Sequence, residues 1–202
     1  MKWPGWIAAA VFVAVATGLN TPQMAALDQS VFRGLAAAPA PFLSFAYGWD
    51  LAGKALPTLG IAALLAALAW RAGRRRDAGF LMLAAAGAWG VNGALKLVVE
   101  RPRPPGMPDV GTFGSSFPSG HAMGTTALYA ALAWLLASRL QRPGARIAVW
   151  LALAVWLTLT ALTRPALGVH YFSDVLAGTA AGLAWVALCV SWHARSVGKE
   201  YQ

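Results

Sequence analysis

The chain has 202 residues, of which 58% are hydrophobic and only 11% charged, and its mean hydropathy is +0.57. Soluble domains carry about a quarter charged residues, so composition excludes an ordinary water-soluble globule and points to a chain embedded in a membrane. The net charge of +9 would suit a nucleic-acid binder only if the cations lined one polar surface, and here they sit between apolar runs.

Apolar runs of roughly the 17 to 25 residues that a helix needs to span hydrocarbon begin near Trp3, Leu51, Ala78, Gly120, Arg146 and Phe172. They predict an all-α bundle of six transmembrane helices, a single domain over residues 1–202 with no internal repeat. The first run follows Lys2 and contains Ala14-Val15-Ala16, which also fits a cleavable secretory signal. We expect it to be retained, and its loss would leave the remaining topology unchanged. Between the first two runs, Leu27, Val31 and Leu35 alternate with Asp28, Gln29 and Arg33. This is the pattern of a short amphipathic helix on the outer membrane surface, where it would border the substrate entrance.

An N-terminus in the cytoplasm places Lys2, Arg71, Arg74, Arg75, Arg76, Arg139, Arg142, Arg146, Arg195 and Lys199 inside. Arg33, Lys54, Lys96, Arg101, Arg103 and Arg164 then lie outside. The inside excess obeys the positive-inside rule and predicts an inner-membrane, multi-pass protein with both termini cytoplasmic. The run from Arg71 to Arg76 is a topology signal and requires no nucleic acid. Trp3, Trp6, Trp49, Trp70 and Trp192 fall near span ends, as interfacial indoles do, and His193 beside Trp192 reads as interfacial or solvated. Gly178-x-x-x-Gly182, with Gly87, Gly90 and Gly93, would let helices pack closely. The lone Cys189 excludes an intrachain disulfide and reads as a small core residue.

Three segments carry chemistry: Lys96-x6-Arg103-Pro104, Pro118-Ser119-Gly120-His121, and Arg164-x5-His170-x3-Asp174. In the predicted topology all three meet at the outer face. Phosphoryl transfer asks a protein mainly to position the group and stabilise charge on its oxygens, which Lys96, Arg103 and Arg164 suit. Ser119 and Gly120 lead into an apolar run, so backbone amides at a helix start and a serine hydroxyl could bind an anion there. His121 follows within reach of the same anion and suits general acid–base work. His170 and Asp174, four residues apart, share a helical face if a helix starts near His170, so the carboxylate could orient the imidazole as a nucleophile. Two histidines and an aspartate could also hold zinc, but three cations would repel a divalent ion, and we favour metal-independent chemistry with no cofactor.

At these residues the chain resembles the type 2 phosphatidic acid phosphatase family, integral membrane lipid phosphatases, over about residues 96–174. The resemblance implies a phosphohistidine on His170, oriented by Asp174. It also implies protonation of the leaving group by His121, with the phosphate held by Lys96, Arg103, Ser119, Gly120 and Arg164. Thr163 stands where the third motif often has serine, which keeps a hydroxyl. Arg101-Pro102 offers a competing register for the first motif, without the family spacing. The substrate implied is a lipid phosphate or diphosphate, with undecaprenyl diphosphate and phosphatidylglycerol phosphate ranked ahead of phosphatidate and lipid A phosphates. The motifs address phosphate, leaving the tail and the oligomeric state open. A lipid phosphotransferase and a non-catalytic transporter of anionic lipid are the rivals. The transporter leaves His170 with Asp174 unexplained and would place its charges near the midplane.

Overall fold

A computed structural model of the chain describes residues 5–105 and 114–198, so Lys2, Trp3 and Lys199 of the orientation argument lie outside the described residues. Among the described residues the chain is helical, without strands. The helices are α1 (Gly5–Gly18), α2 (Pro22–Ala36), α3 (Ala40–Gly53), α4 (Ala55–Arg71), α5 (Arg75–Val98), α6 (Gly120–Arg139), α7 (Pro143–Ala166) and α8 (Phe172–Gly198). By length and composition α5, α7 and α8 can each cross a bilayer alone. The pairs α1–α2 and α3–α4 reach that length only as bent units, with bends of 99° and 56°, which gives three to five candidate spans.

The bends follow from the sequence. Thr21 caps α2, its hydroxyl accepting from Met24 N at 3.3 Å, and Pro22 occupies the first turn, so a new helix starts instead of α1 continuing. α2 matches the expected amphipathic segment, but its inward face differs. Asp28 is buried while Leu27 and Phe32 are exposed, because Asp28 finds charged and polar partners inside. The second apolar run, expected to begin near Leu51, is divided: α3 runs up to Gly53, and the chain bends at Lys54 before α4.

α8 is the central helix, packed against α6, α1, α5 and α7. The core is built largely from alanines, among them Ala84, Ala85, Ala88, Ala127, Ala130 and Ala131, and small side chains let membrane helices approach. Between α8 and α6 glycines meet backbone directly. A Cβ at Gly178 would sit 2.5 Å from the Ser119 carbonyl oxygen, and one at Gly182 would sit 2.8 Å from that of Met123. Gly87 meets the side chain of Trp185, whereas Gly90 and Gly93 face open space and do not serve the packing expected of them. Cys189 is buried in this core. Leu56, Leu68, Leu97, Ile147, Leu151 and Leu188 are exposed, an apolar outer surface suited to lipid contact.

One expectation for a titratable residue needs correction: His193 is not solvated. It is buried, with Nε2 3.1 Å from Asp77 Oδ1 and the rings of Phe80 and Trp134 edge-on at 5.0 and 5.4 Å. A buried carboxylate at the first turn of α5 needs such partners, and Arg139 supplies the other. Trp49 is half-buried, donating to Thr160 Oγ1 at 3.2 Å, while Trp6, Trp70 and Trp192 are exposed. The starts of α6 and α8 and the ends of α5 and α7 gather at the opposite end of the bundle from Asp77.

Candidate active site

Asn92 and Lys96 lie one turn apart on α5, so their side chains share a face. Both reach the segment that leads into α6. Asn92 Nδ2 donates to the Pro118 carbonyl at 3.2 Å, and Lys96 Nζ donates to the Ser115 carbonyl. Ser119 is the N-cap of α6. Its hydroxyl accepts from Ala122 N at 3.5 Å, and its own N–H donates to the Asp174 carbonyl at 3.0 Å, which ties the second motif to the third. Gly120 begins the helix against Trp89, whose Cζ3 would lie 2.9 Å from an added Cβ. His121 is buried and rests on α3, its Nε2 3.1 Å from the Asp50 carbonyl oxygen.

α7 ends at the third motif. Thr163 and Arg164 are buried in its last turn, and Gly168, at φ +67°, makes the left-handed turn that only glycine adopts without strain. The chain then delivers His170 beside the first turn of α8. His170 is 3% exposed and Asp174 fully buried. His170 Nδ1 lies 3.5 Å from Asp174 Oδ2 and 3.3 Å from Ser116 Oγ, and the Ser116 hydroxyl donates to the same Oδ2 at 2.5 Å. With that hydroxyl proton directed to the carboxylate, Nδ1 must carry the ring hydrogen, which leaves the Nε2 lone pair for attack. Burial is the main cause that pushes the His170 pKa down to about 3; the charges of Arg164 and Arg103 add to it, and Asp174 opposes it. The ring is therefore neutral at ordinary pH.

The two arginines of the first segment have different partners. Arg101 reaches Asp174 Oδ1 at 2.6 Å and Asp28 Oδ2 at 2.8 Å, and its guanidinium lies 4.1 Å from the centre of the Tyr171 ring. Burial lowers its pKa, but Asp174 and Asp28 more than offset this and hold it above the usual arginine value. Asp28 also accepts from Ser173 N and Oγ at 2.8 and 2.7 Å, so α2 is pinned to the start of α8. Arg103 instead donates to the carbonyls of Gly114 and Val169 at 3.1 and 2.9 Å. Both Asp174 oxygens are engaged, Oδ1 by Arg101 and Oδ2 by Ser116 and Tyr171 N. A metal ion would have to displace these donors.

Arg164 is 1% exposed. Its Nη1 donates to Asp50, while Nε and Nη2 have no hydrogen-bond partner among the described residues. A cavity of about 890 Å³ beside the site is lined by His170, Arg101, Tyr171 and Pro104 and, from α2, by Asp28 and Phe32. The structure thus brings all eight sequence-selected residues to one end of the bundle. Asn92, Arg101, Ser116, Asp28 and Asp50 were not selected as site residues. The two aspartates carried a signal, since a carboxylate in or beside apolar sequence is costly unless it has a task; Asn92 and Ser116 carried none.

Residues 77–197 match the model of the PAP2 superfamily. The chain is 39% identical over 104 residues to lipid A 1-phosphatase of Rhizobium johnstonii, covering 46% of this chain and 38% of that protein. It is 36% identical over 94 residues to phosphatidylglycerophosphatase B of Bacillus subtilis, covering 46% of each. These matches span less than half the length of either relative. The crystal structure of the first transmembrane PAP2 type phosphatidylglycerolphosphate phosphatase from Bacillus subtilis shares the fold. Its TM-score is 0.82 at 24% identity, over 96% of this chain and 97% of that one. Membrane-length helices, an apolar outer surface and three motifs gathered at one end of the bundle agree with the family match, and the chain belongs to the PAP2 superfamily.

Proposed function

We propose that the chain hydrolyses a lipid phosphomonoester or diphosphate through a phosphohistidine on His170, without a metal ion. The observation that carries this reading is the pairing of two features. His170 is neutral with Nδ1 held toward Asp174 and Ser116, and the nearby Arg164 is a buried guanidinium with two donors that no atom of the described residues accepts. A buried cation with unpaired donors is costly, and a phosphate would satisfy it. Asp174 orients His170. Lys96, Arg103 and Arg164 neutralise the phosphate oxygens, the amides and hydroxyl at Ser119 and Gly120 supply donors at the α6 N-terminus, and His121 protonates the departing oxygen.

The chain crosses the membrane six times in this reading, with the bent pair α3–α4 as the second span, both termini cytoplasmic and the site at the outer face. The cavity bordered by α2 gives a lipid headgroup access from that face. Relatives named for lipid A and phosphatidylglycerol phosphate support a lipid-anchored substrate. We rank phosphatidylglycerol phosphate and undecaprenyl diphosphate first. The test is phosphate release by detergent-purified protein, with EDTA present, from a panel of lipid mono- and diphosphates, comparing wild type with His170→Ala. Turnover that vanishes in the variant is expected. Release that depends on added metal would overturn metal independence, and transfer of phosphate to a second lipid without free phosphate would make the chain a phosphotransferase.

A further inference from the structure

α3 lies outside all three motifs, yet it supplies a carboxylate that faces two of them. Asp50 is buried, with 4% of its surface exposed. Its Oδ1 accepts from Arg164 Nη1 and stands 3.2 Å from His121 Nε2, while its backbone oxygen lies 3.1 Å from the same nitrogen. Lys54 approaches the other carboxylate oxygen at 3.5 Å. Two acceptors converge on Nε2, so that atom carries a hydrogen. The same ring edge is packed on α3, since a Cβ at Gly53 would lie 2.7 Å from His121 Cδ2. Nδ1 is therefore the ring nitrogen turned away from α3.

We infer that Asp50 is a positioning residue for proton transfer: it sets His121 with Nδ1 toward the leaving oxygen and balances the charge of the imidazolium that donates. The inference rests on the phosphohistidine reading above. In the first half-reaction His170 Nε2 forms the N–P bond, the P–O bond to the leaving group breaks with its electron pair staying on oxygen, and the Nδ1 proton of His121 passes to that oxygen. Neutral His121 then takes a proton from the water that attacks phosphorus, as the N–P bond breaks and its pair returns to His170. Charge makes Asp50 necessary, because Arg164 faces the same carboxylate and a second cation beside it needs a counter-ion. Asp50 engages Arg164 only at Nη1, which leaves Nε and Nη2, the parallel edge that can hold two phosphate oxygens at once.

The test compares two anchored substrates of matched chain length, dodecyl phosphate and 4-dodecyl-2-nitrophenyl phosphate. The nitrophenolate leaves without a proton, so it does not need His121. General acid catalysis contributes on the order of 100- to 10,000-fold, and we expect Asp50→Asn to lower the ratio of alkyl to aryl turnover by at least about tenfold. On a His121→Ala background the same substitution should leave that ratio unchanged. Gly53→Ala, which leaves Asp50 intact and presses on the ring, should also lower the ratio. Equal losses on both substrates, or a ratio that falls further in the double variant, would overturn the inference while leaving the phosphatase reading standing. If Asp50→Asn is not monodisperse in detergent, Asp50→Glu decides: it keeps the charge but displaces the carboxylate from His121, and a ratio equal to that of wild type would overturn the inference. Wild type that releases phosphate from neither substrate, or His170→Ala that still does, overturns the phosphatase reading itself.

Discussion

Arg101 and Arg103 are two residues apart and opposite in their surroundings, and replacing each with methionine should separate stability from turnover. Arg101 bridges Asp28 and Asp174, both buried. Arg101→Met would keep the apolar stem and leave two buried carboxylates without their cation. Breaking a buried ion pair costs about 3 to 5 kcal/mol, and the two pairs share one guanidinium, so we expect one such loss and not two. For a chain of this size, a kcal/mol corresponds to about 2 to 4 °C in Tm, which puts the expected fall near 10 °C. Arg103 donates to two carbonyls of the motif loops. Arg103→Met should lower Tm by only a few degrees but reduce kcat/KM on the order of 100-fold, the typical loss of one donor to transition-state charge. Thermal unfolding in detergent, with phosphate release measured on the same preparations, gives both quantities. A Tm for Arg101→Met within a degree or two of wild type would refute the view that it binds two buried carboxylates, and a larger Tm loss for Arg103→Met than for Arg101→Met would reverse the two assignments.

Ser116→Ala should reduce kcat about ten- to a hundredfold with little change in KM, because it removes a hydrogen bond to the buried carboxylate that faces His170, the proposed nucleophile; an unchanged kcat would exclude Ser116 from holding His170. Gly178→Ala should destabilise the chain by about 1 to 3 kcal/mol, the usual cost of overpacking, since its methyl would meet the Ser119 carbonyl at 2.5 Å and separate the second motif from the third. Both Tm and activity report this, and wild-type values for either would contradict the α6–α8 contact. Stability should also depend on pH through His170. Its pKa in the folded chain is lowered to about 3 from 6.5, so below about pH 6.5 the unfolded chain takes up a proton that the folded chain refuses. Stability is lost as pH falls from about 6.5 toward about 3, at roughly a kcal/mol per pH unit from this group. His170→Asn should show a shallower fall of Tm with acid over that window, and a slope equal to that of wild type would mean that His170 is protonated in the fold.

What the sequence by itself made legible is the three motifs, the family they resemble and their approximate helical housing. The Lys96, His121 and His170 segments were legible because each spacing is local, and the recurrence of Leu27, Val31 and Leu35 announced α2. Helix membership was legible because membrane-length apolar runs have few alternatives once backbone groups must be satisfied internally. Tertiary structure decided which faces meet. A helix apolar on all sides has no moment to tell its buried side from its lipid side, so the rotation of α3 that turns Asp50 to His121 follows from partners distant in the chain; in amphipathic α2 the polar Asp28 turns inward and Leu27 outward because Arg101 and Ser173 meet that carboxylate. The same holds for His193, whose burial depends on Asp77 and Arg139 at the ends of two other helices. Arg101 and Arg103 are equal in sequence character. Only the packing of α2 and α8 around one of them makes it a structural cation, because a buried carboxylate selects the nearest guanidinium that can be held without solvent.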